Sequence, residues 1–285
     1  MDPVSKRVEL LAWLGGRIGK PPGFERVARR LVPLERCAAM PEICLVRDGS
    51  VFVTRPGVPV GWHVAFFGSY EPELRDVMRV IVPPGGVAID VGANVGWHTL
   101  LLARLVGGAG RVLAVEANPS VREQLAQNIG LNRLAQVEII PCAAAAAEGS
   151  LRFAGPAADD PGAGNGHVVK EEAAAAGVIS VPARPLDAVV AERRLERLDF
   201  IKIDVEGFEW PVLQGAEQTI AKHRPNIIFE FDSAYVARGD GSAALLAEFL
   251  ARHRYRLFSI GRNWAERVEL VTWPDCANIL ALASD

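Results

Sequence analysis

Cysteine is scarce in this chain. Its 285 residues hold only four, Cys37, Cys44, Cys142 and Cys276, and none forms a C-x-x-C pair. Zinc sites built on thiolates and disulfide frameworks both need closer or more regular spacing. The four read as reduced structural thiols of a cytoplasmic protein. Long apolar runs are also missing. Val8–Leu14 is far short of the ~20 residues a membrane helix needs, and no signal-peptide cleavage pattern accompanies it. Charge of one sign is not in excess: 31 basic side chains face 34 acidic ones, for a net charge of −3. A general nucleic-acid binder needs a basic face, so no nucleic-acid partner is expected.

Half of the residues are hydrophobic and 23% are charged, an ordinary composition for one packed domain with a modest extension. Residues 1–66 read as that extension. Helices are expected over Arg7–Ile18 and Phe24–Leu34, and the run Arg26, Arg29, Arg30 reads as a solvated helix face. Ile43–Thr54 and Val58–Phe67 alternate apolar and polar residues around Asp48-Gly49 and Pro56-Gly57, which predicts a β-hairpin or meander. Residues 67–285 form the main domain.

That domain alternates strands and helices. A helix starting at Pro72 is followed by strand Val87–Val91, a helix from Trp97, strand Arg111–Val115, helix Ser120–Asn132 and strand Val137–Pro141. After an irregular stretch come strand Phe200–Ile203, helix Trp210–His223, strand Asn226–Glu230, helix Ala243–His253, and strands Tyr255–Ile260 and Ala277–Ala283. Short connections in this order mean a doubly wound, mostly parallel sheet. Ala154–Gly166 is rich in Gly, Ala, Asp and Pro and reads as a loop between short strands. With residues 1–66, the stretch 154–177 is expected to shape an acceptor pocket.

The chemistry concentrates at three strand ends. Ile89-Asp90-Val91-Gly92-Ala93-Asn94-Val95-Gly96 is a strand running into a glycine-spaced turn and a helix, the start of an α/β nucleotide site. Glu116 ends the next strand, 20 residues after Gly96, where a carboxylate can accept both hydroxyls of an adenosine ribose. The turn has Gly92-x-x-x-Gly96 spacing without the third glycine of a dinucleotide fingerprint. Asp90 would repel a pyrophosphate but suits a cationic sulfonium. A C-terminal hairpin closing the sheet also separates methyltransferase folds from dinucleotide folds. An NAD-linked oxidoreductase and a non-catalytic binding protein are the competing readings.

At the third strand end, Asp204 and Glu206 in Asp204-Val205-Glu206-Gly207 can face one crevice. They could take a proton from an acceptor hydroxyl, hold the sulfonium end or bind a divalent ion; alternatively Glu206 caps the next helix and Lys202 pairs with one of the acids. No metal is assigned. Further proton acceptors are Glu71, His98 and Glu230, with His167 a remote one. Glu71 and His98 also have structural readings, as a helix-start acid and a packing residue. Trp97 and Trp210 follow the two turns and could wall the pocket or simply pack helices.

Taken together, Phe67-Gly68-Ser69-Tyr70-Glu71, the Ile89–Gly96 turn, Val115-Glu116-Ala117-Asn118-Pro119 and Ile201-Lys202-Ile203-Asp204-Val205-Glu206-Gly207-Phe208-Glu209 resemble the FkbM family of S-adenosylmethionine-dependent methyltransferases over about Gly68–Phe231. The resemblance implies a Rossmann-like class I methyltransferase fold, with a mostly parallel seven-stranded sheet and a C-terminal antiparallel hairpin. It implies methyl transfer to a hydroxyl of a small-molecule acceptor, a sugar or secondary metabolite. Carried over, Asp90, Gly92, Ala93, Asn94 and Gly96 would hold the methionine end of S-adenosyl-L-methionine. Glu116, with Ala117 and Asn118 beside it, would hold the adenosine ribose, and Cys142-Ala143 the adenine edge. Glu71 would belong to a segment lidding the cofactor. The polar Ser-Asp stretch usual after the third strand is replaced by Ala144–Ala147.

Overall fold

The computed structural model describes residues 24–33, 37, 40, 42–47, 49–155, 166–169, 177–261, 266–267 and 272–284. The helix expected over Arg7–Ile18 and most of the 154–177 stretch lie outside the described residues. In chain order the elements are α1 (Phe24–Leu31), β1 (Ile43–Arg47), β2 (Ser50–Thr54), α2 (Pro59–Phe67), α3 (Pro72–Ile81), β3 (Val87–Val91), α4 (Trp97–Val106), β4 (Arg111–Val115), α5 (Pro119–Leu131) and β5 (Val137–Ile140). Then come β6 (Ala143–Ala144), β7 (Gly149–Ala154), β8 (His167–Val168), β9 (Val178–Arg184), α6 (Leu186–Glu192), β10 (Phe200–Ile203), α7 (Glu209–Gln214) and α8 (Glu217–His223). The chain closes with β11 (Asn226–Asp232), a short 3-10 turn, α9 (Ala243–Arg252), β12 (Tyr255–Ile260), β13 (Glu266–Arg267) and β14 (Cys276–Ala283).

One eight-stranded sheet organises the domain, in the order β13-β12-β14-β11-β10-β3-β4-β5. The five strands from β11 to β5 run parallel, and β14 is antiparallel to both β11 and β12. The sheet is therefore mixed: the expected fold plus a two-residue edge strand, β13. Each central strand is buried on both faces, which is why these segments read as apolar runs. Ile89, Val91, Ile201 and Ile203 face α6 to α9, packing with Leu186, Val212, Ile220 and Leu246. Ala88 and Phe200 face α3 and α4, packing with Leu74, Met78 and Leu102. Period-two alternation puts Asp90 and Lys202 on this second side.

Two expectations are corrected. Residues 59–67 form a helix, not a strand. Pro59 fixes its first turn, and Val60, Trp62, His63, Val64, Phe66 and Phe67 are buried around its whole circumference. A helix buried on all sides has no one-sided 3.6-residue signal to betray it. The helix expected over 210–223 is two helices. At the break the Gly215 carbonyl accepts from the Asp187 N–H at 2.8 Å, and a Cβ on Gly215 would sit 2.0 Å from the Ala145 carbonyl oxygen. Asp187 then caps α8, accepting from Gln218 N–H at 3.1 Å and Thr219 N–H at 2.7 Å. A second sheet, β6-β9-β7-β8, was anticipated only as two flanking strands.

The hairpin β1–β2 docks on α5 through two asparagines. Asn128 accepts from Val53 N–H at 2.8 Å and donates to the Val53 carbonyl at 3.0 Å. Asn132 does the same for Val51, at 2.8 and 2.6 Å. Spaced one helical turn apart, the two amides pair with the β2 edge as another strand would.

Candidate active site

Strand order reverses at β3: the chain moves outward to β4 and β5, then crosses back to β10 on the other side. The crevice at the carboxyl ends of β3 and β10 is where such sheets bind ligands. The β3 and β10 turns meet there backbone to backbone. Gly92 has φ +76, and a Cβ on it would lie 1.8 Å from the Asp204 carbonyl oxygen. No other residue fits that position.

A cavity opens above these turns, and Gly92, Ala93, Asn94, Glu116, Ala117 and Asn118 line one flank of it. Glu116 is buried and already occupied on both oxygens. Oε2 accepts from Asn94 N–H at 2.9 Å, and Oε1 from Asn118 N–H at 2.8 Å. Burial pushes its carboxyl above the ordinary value, against the pull of these two amides. Each oxygen keeps a free lone pair for a hydroxyl, so Glu116 both braces the turn and faces the cavity. Asn118 caps α5, its Oδ1 accepting from Ser120 N–H at 3.0 Å. Beyond it Val121, Cys142, Ala143, Phe153 and Val168 form an apolar slot.

Asp90 and Gly96 do not line the cavity. Asp90 is fully buried beneath the turn, accepting from the Thr99 hydroxyl at 2.6 Å. Gly96 caps α4 at φ 95. Lys202 lies next to Asp90, its Nζ 3.7 Å from Asp90 Oδ1 and 3.0 Å from Asp204 Oδ2. Burial works to discharge the ammonium, but Asp204 and Asp90 outweigh it and hold Lys202 above the usual lysine value.

The opposite flank carries His98, Lys202, Asp204 and Glu206. His98 Nε2 faces Glu71 Oε2 at 3.5 Å, and the imidazole is only 5% exposed. Burial, with Lys202 adding to it, pushes His98 well below its ordinary value, so the ring is neutral. Glu71 stands behind His98 and outside the cavity wall, at the N-cap of α3 in the left-handed region, φ 44. Burial and the neighbouring Asp204 raise its carboxyl to about 7. Glu230, at the end of β11, is raised to about 9 by burial and then by Asp204 and Glu206. Ligand oxygens of Asp204, Glu206 and Glu230 lie within 4.8 Å of one another. Trp97 lines the cavity and donates its indole N–H to the Tyr70 carbonyl at 3.0 Å. Trp210 packs on Phe249 away from the cavity, with ring centroids 5.9 Å apart.

Sequence reasoning missed Glu209 and Asn278. Glu209, only 2% exposed, caps the second turn with Oε1, accepting from Val205 N–H at 3.3 Å and Gly207 N–H at 3.2 Å. The cap considered for Glu206 belongs to this second acid, three residues on, as its position after the glycine could have signalled. Asn278 donates to Glu71 Oε1 at 3.1 Å across 207 residues of sequence, a contact no local pattern announces.

A family model described as the methyltransferase FkbM domain matches residues 90–257. The AMB antimetabolite synthetase AmbE of Pseudomonas aeruginosa is 29% identical over 243 residues, covering 68% of this chain but only 11% of that protein. Methyltransferase sdnD of Sordaria araneosa is 27% identical over 179 residues, covering 52% of this chain and 67% of that protein. Among solved structures, methyltransferase FkbM from Methylobacillus flagellatus is 18% identical with a TM-score of 0.44, covering 91% of this chain and 60% of that one. The chain belongs to the FkbM family of S-adenosylmethionine-dependent methyltransferases, which sets aside the NAD-linked reading, and it spans about a tenth of the length of the first of these relatives.

Proposed function

We propose that this FkbM-family methyltransferase methylates a hydroxyl oxygen of a small-molecule acceptor, a sugar or secondary metabolite. The observation that carries this reading is the His98–Glu71 pair, 3.5 Å apart at the cavity wall. A neutral amine can attack a methyl group before it loses a proton. A hydroxyl needs a base as it attacks, and a neutral imidazole backed by a carboxylate near its titration point provides one. The antimetabolite synthetase among the relatives supports a metabolite acceptor.

The residues fit the cofactor. Gly92, Ala93 and Asn94 offer a turn that only a glycine permits at its first position, with room for backbone approach to the methionine end. Asp90 and Gly96 shape that turn from beneath. Glu116 would accept the ribose hydroxyls on its remaining lone pairs, Ala117 and Asn118 would flank the sugar, and the slot at Cys142 and Ala143 would take the adenine ring. Asp204, held beside the Lys202 ammonium, attracts the cationic end, and Glu206 faces the acceptor. S-adenosylmethionine, when bound, would supply a methyl group carried on a sulfonium. The protein then has to orient the acceptor in line and remove its proton.

The test is incubation with methyl-labelled S-adenosylmethionine and a panel of polyhydroxylated metabolites and their amino analogues. Label on oxygen, located by NMR, is the expected result. Label on nitrogen or carbon overturns it.

A further inference from the structure

The interaction between Glu71 and His98 depends on where the Glu71 side chain points, and that side chain has three rotatable bonds. The Asp204 carboxylate repels its negative charge and the Lys202 ammonium attracts it. Its backbone is set at φ 44 at the N-cap of α3, and its Oε1 accepts from Asn278 Nδ2 at 3.1 Å. Asn278 lies on β14, between Glu230 on β11 and Ile260 on β12 in register, so its own position is fixed from both sides. With Oε1 so held, Oε2 is left facing His98 Nε2 at 3.5 Å, and among the described residues neither of these buried atoms has a hydrogen-bond partner.

We propose that Asn278 is a positioning residue that holds the Glu71 carboxylate against His98, so that the pair can take up the acceptor's proton. The inference rests on the oxygen-methylation reading above. In that step the hydroxyl proton moves to the imidazole nitrogen facing away from Glu71, and the Nε2 proton moves to Glu71 Oε2. The imidazole ends neutral and the carboxyl protonated, and solvent removes that proton after turnover. Asn278 thereby links the C-terminal hairpin to the segment before the first core strand.

The groups that face Glu71 are Asp204 and Lys202 from β10 and its turn, Glu230 from β11, Glu73 on its own helix, His98 on α4, Tyr70 beside it and Asn278. Among the described residues only Asn278 donates a hydrogen bond to its carboxylate, a bond that favours the ionised form. The experiment is a carbon-13 titration of the glutamate carboxyls in the full chain bound to S-adenosylhomocysteine, with the Glu71 signal assigned through Glu71→Gln. The wild-type midpoint should lie near 7. Asn278→Ala should move it upward, and the near-isosteric Asn278→Asp further upward, because an acceptor or a second negative charge replaces the donor. If the midpoint stays in place in either folded variant, the positioning role is overturned. Methyl label found on nitrogen would overturn the oxygen reading without altering this titration, so the two failures are distinguishable.

Discussion

Asp90 and Lys202 are direct neighbours across the parallel pair β3–β10, and the ammonium lies 3.7 Å from Asp90 and 3.0 Å from Asp204. A buried cation thus joins the acid beneath the first turn to the acid of the second. Removing one member of such a group leaves an uncompensated buried charge, at a cost of about 3–5 kcal/mol. Lys202→Met should lower unfolding stability by roughly that amount in urea denaturation. Lys202→Met combined with Asp90→Asn should recover much of the loss. Equal stability of the single variant and wild type would show that the pair contributes nothing.

Glu116 braces the cofactor turn with two hydrogen bonds from backbone amides. On the proposed reading, Glu116→Ala frees both amides and removes the ribose acceptor. Calorimetry with S-adenosylhomocysteine should show binding weaker by about 2–4 kcal/mol, each charge-assisted bond contributing about 1.5–3 kcal/mol. Glu116→Gln should lose less, since it keeps one acceptor oxygen.

Asn128 is fully buried and bonds the hairpin and the turn together. Besides both backbone groups of Val53, its amide donates to the Val95 carbonyl at 2.8 Å. Asn128→Leu leaves the buried Val95 carbonyl and both half-buried backbone groups of Val53 without this partner and should cost about 3 kcal/mol. Because Val95 belongs to the cofactor turn, affinity for S-adenosylhomocysteine should fall too. Asn132→Ala should leave that affinity unchanged, because among the described residues its side chain hydrogen-bonds Val51 and its own helix.

Glu230 is raised from 4.5 to about 9, so the folded protein binds a proton there that the unfolded chain releases above about 4.5. Its stabilising contribution is complete below 4.5, and it is lost as pH rises through the folded value. Melting temperature should therefore decline between pH 5 and 9, and Glu230→Gln should flatten that decline, as read by scanning calorimetry. An identical pH dependence in the variant would contradict the assignment.

The sheet was legible because its central strands are short apolar runs ended by glycines and acids. Asp90, Asn94, Glu116 and Asp204 stand out in such runs. What escaped reading is non-local or two-sided. Residues 59–67 alternate well enough to pass for a strand, and only burial from all directions makes them a helix. The break at Gly215 follows from Ala145 and Asp187, both distant in sequence. Lys202 looked ambiguous in isolation, and the register with Asp90 resolves it. Asn278 sits in an apolar strand with no local feature that links it to Glu71. The same register effect explains why Asp90, named from its motif, lies under the turn and not in the cavity.

On the proposed reading one crevice holds the cofactor with its sulfur toward His98 and Asp204. A crystal structure with S-adenosylhomocysteine tests it most directly. The adenine is expected in the slot formed by Cys142, Ala143 and Phe153, the ribose on Glu116, and the sulfur on the flank of His98 and Asp204 with open space beyond it. A ligand bound elsewhere, or one whose sulfur points away from His98 and Asp204, would contradict it.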